Sequence, residues 1–368
     1  MSKMQQTSAM GSEWWNDSNH HIELQEAVDQ GATGATSNPV ITVSSVKQLP
    51  DVWMPVLDQL IKDHPAGTEE DIAWELNDLV AIRGAKVLEP VYDRTNGTQG
   101  KISLQVKPMY YRDAKRMVEH AEHLVSLAPN VAIKCPLVPA GLEAIEELTA
   151  KGVTINATVS FSVPQALAGA EAVEKGWQRA EAAGVDTSRL TPYITIMVGR
   201  IDDFLRVVMA KENITIDPGH LNWASIAVFK RAYTLFQERG YKAKLLSAAI
   251  RCHFHWSEFV GGRVVISMPY KWWNQFNAST IDVASKIDEP VSEKIIAELQ
   301  AKFTEFGRAY EPDGMKVSEF ESFGPTVATM RQFLGGSAEL AEIVRERVLE
   351  LGLAPRRSIH APQHHECA

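Results

Sequence analysis

Eight short runs of apolar and β-branched residues recur along this 368-residue chain, each separated from the next by segments with helical spacing. No other feature limits the fold so tightly. The strand candidates are residues 13–17, 32–37, 102–107, 131–134, 153–158, 193–198, 244–248 and 264–268. Most are continuously apolar rather than alternating, as strands buried on both faces are. Helical patterns fill the gaps: "DAKRMVEHAEHLVSLA" follows the third run, "AGLEAIEELTAKG" the fourth and "VPQALAGAEAVEKGWQRAEAAG" the fifth, while "NWASIAVFKRAYTLFQERG" precedes the seventh. The glycines Gly152 and Gly240 suit the ends of the helices that follow the fourth run and precede the seventh. Residues 43–88 are mostly helical and longer than one helix needs, and residues 317–353 read as two further helices.

Strands alternating with helices build a parallel sheet. Eight of them predict a (β/α)8 TIM barrel with additional helices, occupying residues 13–353. A doubly wound sheet competes, but it would normally carry a glycine-rich first turn, and none lies between a strand and a helix here. Residues 1–12 are small and polar and read as a flexible N-terminal arm. Residues 354–368, "APRRSIHAPQHHECA", read as a disordered C-terminal tail. His364, His365 and Cys367 within it are a conceivable metal set, but a solvated tail is the plainer reading.

The net charge of −9 argues against nucleic-acid or anionic-membrane partners, which need a basic surface. Three widely spaced cysteines, Cys135, Cys252 and Cys367, make neither a disulfide framework nor a CxxC zinc pair. The first residues lack the apolar core of a secretion signal, and no run of about 18 apolar residues predicts a membrane span. A cytoplasmic location is the expectation.

In a barrel, chemistry sits at the carboxyl ends of the strands. The polar residues there are Asp17 (beside Asn16), Asn38, Gln105, Lys134, Asn156, Thr158, Thr195, Arg200 and Arg251. Lys134 ends the apolar run Val131-Ala132-Ile133. Burial lowers a lysine pKa, and an unprotonated amine can attack a carbonyl to form a Schiff base. Taken alone, a lysine that snorkels to solvent or pairs with a carboxylate explains the same spacing. Asn156 and Thr158, two apart, share a strand face. Arg200 and Arg251, each just past a strand, could clamp a phosphate or form two unrelated surface ion pairs.

Together and in order, "GATSNPVI" (34–41), "GKISLQV" (100–106), "AIKCP" (132–136), "INATVSFS" (155–162), "MVGRIDD" (197–203) and "AAIR" (248–251) resemble the motifs of the transaldolase family of class I Schiff-base enzymes. "FGPTVATMRQFL" (323–334) looks like the final segment of its longer bacterial members. The resemblance implies a transaldolase of the pentose phosphate type that moves a dihydroxyacetone unit between sugar phosphates. It implies that Lys134 forms the imine and that Asp17, Gln105 and Thr158 handle protons. Asn38, Asn156 and Thr195 would bind substrate hydroxyls, and Arg200 and Arg251 the phosphate. It implies no metal and no cofactor, and a homodimer is compatible with it.

The chain departs from the family pattern in places. Gln105 stands where transaldolases have glutamate, as it does in fructose 6-phosphate aldolases. That motivates two alternatives, an aldolase-like lyase and a catalytically weakened sugar-phosphate-binding barrel. "EWWNDS" can be laid so that Asn16 or Asp17 takes the first-strand acid position; Asp17 is expected, because a general base is needed. Two tryptophans in "PYKWWNQFN" (269–277) fit core packing better than a rim or subunit contact.

Overall fold

A computed structural model describes residues 1–352. The expected tail at 354–368, with His364, His365 and Cys367, lies outside the described residues. The eight strands are β1 (Glu13–Asn16), β2 (Gly34–Thr36), β3 (Lys101–Gln105), β4 (Val131–Pro136), β5 (Ile155–Thr158), β6 (Tyr193–Ile196), β7 (Lys244–Ser247) and β8 (Val264–Met268). Each pairs in parallel with the next, and β8 pairs with β1, so the sheet is a closed barrel. All eight sequence-predicted strands are present, with ends shifted by at most two residues.

Strand parity decides what each residue meets. Outward residues such as Trp14, Ile102, Ile133, Ile155, Ile194 and Ile266 join the large core beneath the surrounding helices. Inward, Trp15, Tyr193, Leu246 and Val265 form an apolar layer inside the barrel. The Trp15 and Tyr193 rings meet edge to face, 4.7 Å between centroids. Two residues further along the same strands stand Asp17, Thr195, Ala248 and Ser267, and all four line the cavity above that layer. The greasy floor and the polar site are therefore successive layers of one register.

The additional helices are Pro39–Gln48, Pro50–Asp63 and Glu69–Arg94 after β2, and a long helix Gly324–Leu351 at the C-terminal side. The expected pair of helices in 317–353 is instead a short 3-10 turn, Val317–Ser322, and one 28-residue helix. Leu340 and Val344 of that helix pack with Val43, Trp53, Leu57 and Leu76 into a second core outside the barrel. Gly336 permits this docking: a Cβ there would stand 2.6 Å from Val40 Cγ2. The docking carries Met330, Gln332 and Phe333 across the barrel mouth.

The N-terminal arm needs correction. Lys3–Ala9 is a helix with a capping box between Ser2 and Gln5. Its sequence is mostly polar, yet Met4 and Thr7 are fully buried. The Trp256 indole donates to Thr7 Oγ1 at 2.9 Å. The tryptophan-rich segment is the helix Tyr270–Ala278, in which Trp273 is buried against Trp14, consistent with core packing. Because Met4 fills core space, Met4→Ala should destabilise the fold by about 2–5 kcal/mol in urea titration; an unchanged midpoint would restore the loose arm.

Candidate active site

Lys134 sits on β4, paired in register with Gln105 on β3 and Asn156 on β5. Its side chain is buried, and Nζ donates to Thr36 Oγ1 at 2.9 Å. Burial lowers its pKa from the usual 10.5 to about 8, and attraction to Asp17 restores only part of the difference. At pH 7 roughly one amine in ten is then unprotonated, against about one in three thousand for a solvated lysine.

Asn16 and Asp17 take opposite faces. Asn16 turns outward, where its Oδ1 accepts the Trp273 indole N–H at 3.0 Å. Asp17 faces the cavity that holds Lys134. Burial raises the Asp17 pKa, while Lys134, Arg200 and Arg251 each oppose the rise. The same desolvation thus moves both the amine and the carboxyl toward their neutral forms.

Around this pair the side chains divide into two kinds. Asn156 is locked: its Nδ2 donates to Ser103 Oγ at 2.9 Å, and its Oδ1 accepts from Thr195 Oγ1 at 2.6 Å. Thr158 Oγ1, Gln105 Oε1 and Ser267 Oγ are buried with no protein partner. Unpaired buried polar atoms are uncommon, and they mark groups aimed at something other than the protein. Asn38 is partly engaged, because its Oδ1 caps the helix Pro39–Gln48 by accepting the Ile41 N–H at 3.0 Å. Its amide N–H₂ is left for the cavity.

The cavity around Lys134 has a volume of about 170 Å3. Eight of the nine sequence-predicted residues border it: Asp17, Asn38, Lys134, Asn156, Thr158, Thr195, Arg200 and Arg251. Gln105 does not. With Thr158 it borders a side cavity of about 10 Å3, roofed by Met330 and Phe333. Thr158 and Phe333 touch both spaces. Val159, directly after Thr158, has φ 55°, a left-handed conformation that costs a β-branched residue on the order of 1–3 kcal/mol.

At the mouth, Arg200 lies in the first turn of the helix Val198–Glu212, and Arg251 lies in the loop after β7. Burial and the like charge of Arg251 lower the Arg200 pKa. Gly199 lets the two loops touch, since a Cβ there would stand 1.9 Å from Ala249 O. Arg200 donates to Gln332 Oε1 through Nη2, and its Nε has no protein partner. Arg251 Nε donates to Asp203 Oδ2 at 3.0 Å. A depressed amine beside a carboxyl, below two guanidiniums, suits a carbonyl compound with an anionic end.

The family model described as transaldolase/fructose-6-phosphate aldolase matches residues 14–319. This chain belongs to that family. It is 29% identical to transaldolase 1 of Streptomyces avermitilis over 208 residues, 56% of this chain and 54% of the relative. It is 28% identical to a transaldolase of Thiobacillus denitrificans over 240 residues, 63% of this chain and 66% of that one. A Thermobifida fusca transaldolase is 31% identical over 210 residues, 55% and 56% of the two chains. The matched stretches thus span between about half and two thirds of these relatives.

Several residues that line this cavity escape a reading of strand ends alone. Thr36, the hydrogen-bond partner of Lys134, and Ser267 line the cavity with the inward parity of β2 and β8, a signal that strand parity could have supplied. Gln332 and Phe333 come from the helix Gly324–Leu351, beyond the family match; they lie within "FGPTVATMRQFL", but nothing in that stretch points them at the cavity. The depressed amine is directly measurable. Acetic anhydride labelling of Lys134, followed by peptide mass spectrometry, should rise with pH to a midpoint near 8. A midpoint at the usual lysine value would contradict the desolvated site.

Proposed function

We propose that this chain is a transaldolase, transferring a dihydroxyacetone unit between sugar phosphates through a Schiff base on Lys134. The observation that carries this reading is the buried amine with its pKa lowered to about 8, in one cavity with Asp17, Arg200 and Arg251. Unprotonated Nζ attacks the C2 ketone of a ketose phosphate, and loss of water leaves an iminium. The iminium draws electrons from the C3–C4 bond, which breaks as the C4 hydroxyl gives its proton to Asp17. The leaving aldose phosphate departs, and a three-carbon enamine stays on Lys134. Attack of that enamine on a second aldehyde makes the new bond, and hydrolysis frees the product.

The remaining residues serve these steps. Arg200 and Arg251 hold the phosphate and so fix the distance from it to C2. Asn38 offers its N–H₂ to a substrate hydroxyl, and Asn156, braced by Thr195, presents a fixed amide edge. Thr158 and Gln105 hold the water that relays protons during dehydration and hydrolysis of the imine. A carboxylate at position 105 could take that proton, whereas Gln105 can only orient the water. That one difference favours a second reading, a fructose 6-phosphate aldolase-like lyase that releases the three-carbon unit. A more strongly weakened relay would leave a sugar-phosphate-binding barrel. The transaldolase reading fits the pentose phosphate type of carbohydrate metabolism in a cytoplasmic setting. Among the described residues no helix is long and apolar enough to cross a membrane.

Borohydride reduction in the presence of fructose 6-phosphate should add a three-carbon unit to Lys134, and Lys134→Ala should abolish it. Labelling that persists in the variant would refute the assignment. Erythrose 4-phosphate should accelerate turnover of a transferase; release of dihydroxyacetone independent of the acceptor would identify the lyase. Gln105→Glu should raise transfer by on the order of tenfold, since a positioned acid–base group contributes at least that much. An unchanged rate would remove Gln105 from the relay.

A further inference from the structure

The two mouth arginines are carried by separate loops, and the segment between β7 and the Arg251 side chain includes Ala249 at φ 63°. A non-glycine residue in that conformation is held there by its surroundings. Arg251 itself is exposed, and its guanidinium bonds Asp203 and the Ala249 and Ile250 carbonyls of its own loop. Something must fix where this loop stands relative to Arg200.

Beneath the loop lies a buried polar cluster that the proposed chemistry does not use. Asp202 follows Arg200 by two residues on the same helix, and His255 follows Arg251 by four. His255 is fully buried and Asp202 is 1% exposed. His255 Nε2 meets Asp202 Oδ2 at 2.9 Å and Ser225 Oγ at 3.2 Å. Asp202 also accepts the Ser225 N–H at 3.2 Å and its hydroxyl at 3.0 Å. On the other ring edge, the Arg251 backbone N–H donates to His255 Nδ1 at 3.1 Å.

This last bond sets the tautomer. A ring nitrogen that accepts a backbone N–H carries no proton, so in the neutral ring the proton is on Nε2 and donates to Asp202. Burial disfavours charge on the ring, but hydrogen bonds to Asp202 and Cys252 outweigh it and raise the His255 pKa. The Arg251 N–H pulls the other way, because it needs the bare Nδ1 lone pair. Burying a carboxylate and an imidazole costs more than burying two apolar side chains of like size. Here the pair joins the backbone of one arginine loop to the helix that begins at the other.

We propose that Asp202 and His255 form a buried brace that sets the spacing of Arg200 and Arg251, and with it the affinity for the phosphate of the substrate. The proposal rests on the reading of this mouth as a sugar-phosphate site. Both are positioning residues: neither borders the cavity. Their effect reaches the ligand through Arg251, whose guanidinium is further tied to Asp203, the residue after Asp202. The brace therefore acts on phosphate binding and leaves the chemistry at Lys134 to the other side of the cavity.

The test compares wild type, His255→Phe and His255→Asn. Phenylalanine keeps a flat ring of somewhat larger size and removes the hydrogen bonds to Asp202, Ser225 and the Arg251 N–H; the asparagine Oδ1 falls where Nδ1 stands and can accept the Arg251 N–H. Calorimetry with glucitol 6-phosphate, which has no carbonyl to react, should give a Kd about tenfold weaker for His255→Phe, the scale of one lost buried hydrogen bond. His255→Asn, which keeps the bond to Arg251 but loses the one to Asp202, should recover only in part and stay about threefold weaker than wild type. Borohydride trapping of unphosphorylated dihydroxyacetone on Lys134 should change by less than about twofold in either variant. Three results would overturn the brace: wild-type affinity in His255→Phe, wild-type affinity in His255→Asn, or a parallel loss of dihydroxyacetone trapping, which is the mark of a general folding defect. A wild-type protein that ignores glucitol 6-phosphate while still trapping dihydroxyacetone would sink the phosphate reading, and the brace with it.

Discussion

The closed register of the barrel is the constraint from which the site follows. Parallel pairing from β1 round to β8 leaves each strand no freedom to slip by one residue without turning its whole apolar face the wrong way. Trp15, Tyr193, Leu246 and Val265 hold the inner parity with large apolar side chains. Once they do, Asp17, Thr195, Ala248 and Ser267 must point into the same space one layer higher. The polar residues of the site are inward because the apolar ones below them are.

That floor also sets the electrostatics. Lys134 and Asp17 would each prefer to be charged in water, and together they could form an ion pair. In the cavity, desolvation works against both, lowering the amine and raising the carboxyl. The shift of Lys134 from 10.5 to about 8 corresponds to roughly 3 kcal/mol of lost preference for the ammonium. Attraction to Asp17 opposes the shift without cancelling it. An acid and a base whose pKa values are drawn toward each other, and toward neutral pH, can exchange protons with substrate at small cost.

Much of this was legible in the sequence, for reasons that particular residues make clear. The strands announced themselves because both faces are buried, so runs such as Val131-Ala132-Ile133 are apolar without interruption. Lys134 was conspicuous against such a run but ambiguous alone; only the ordered set of neighbouring motifs separated a buried amine from a snorkelling one. Asn16 and Asp17 are adjacent and similar, and what distinguishes them is the Trp273 indole, far along the chain. The N-terminal helix was missed because its sequence is mostly polar and only Met4 and Thr7 are fully buried, against partners that no local pattern reveals. Gln332 and Phe333 reach the cavity through a docking surface at Val40 and Gly336, a purely tertiary fact. The Asp202–His255 pair is hidden for the same reason, since its members lie 53 positions apart.

The two ends of the cavity come from different parts of the barrel. β1, β4 and β5 supply the carboxyl, the amine and the unpartnered Thr158 hydroxyl, whereas the arginines follow β6 and β7. Catalysis gains from such a division, because binding energy at a remote anionic group can hold the reacting carbon against the nucleophile. It requires the distance between the two ends to be fixed. A rigid barrel provides that along the strands, where Asn156 is locked by Ser103 and Thr195. Loops do not provide it by themselves. The left-handed Ala249, the missing side chain at Gly199 and the buried Asp202–His255 contact are the places where this fold extends strand-like rigidity into its arginine loops.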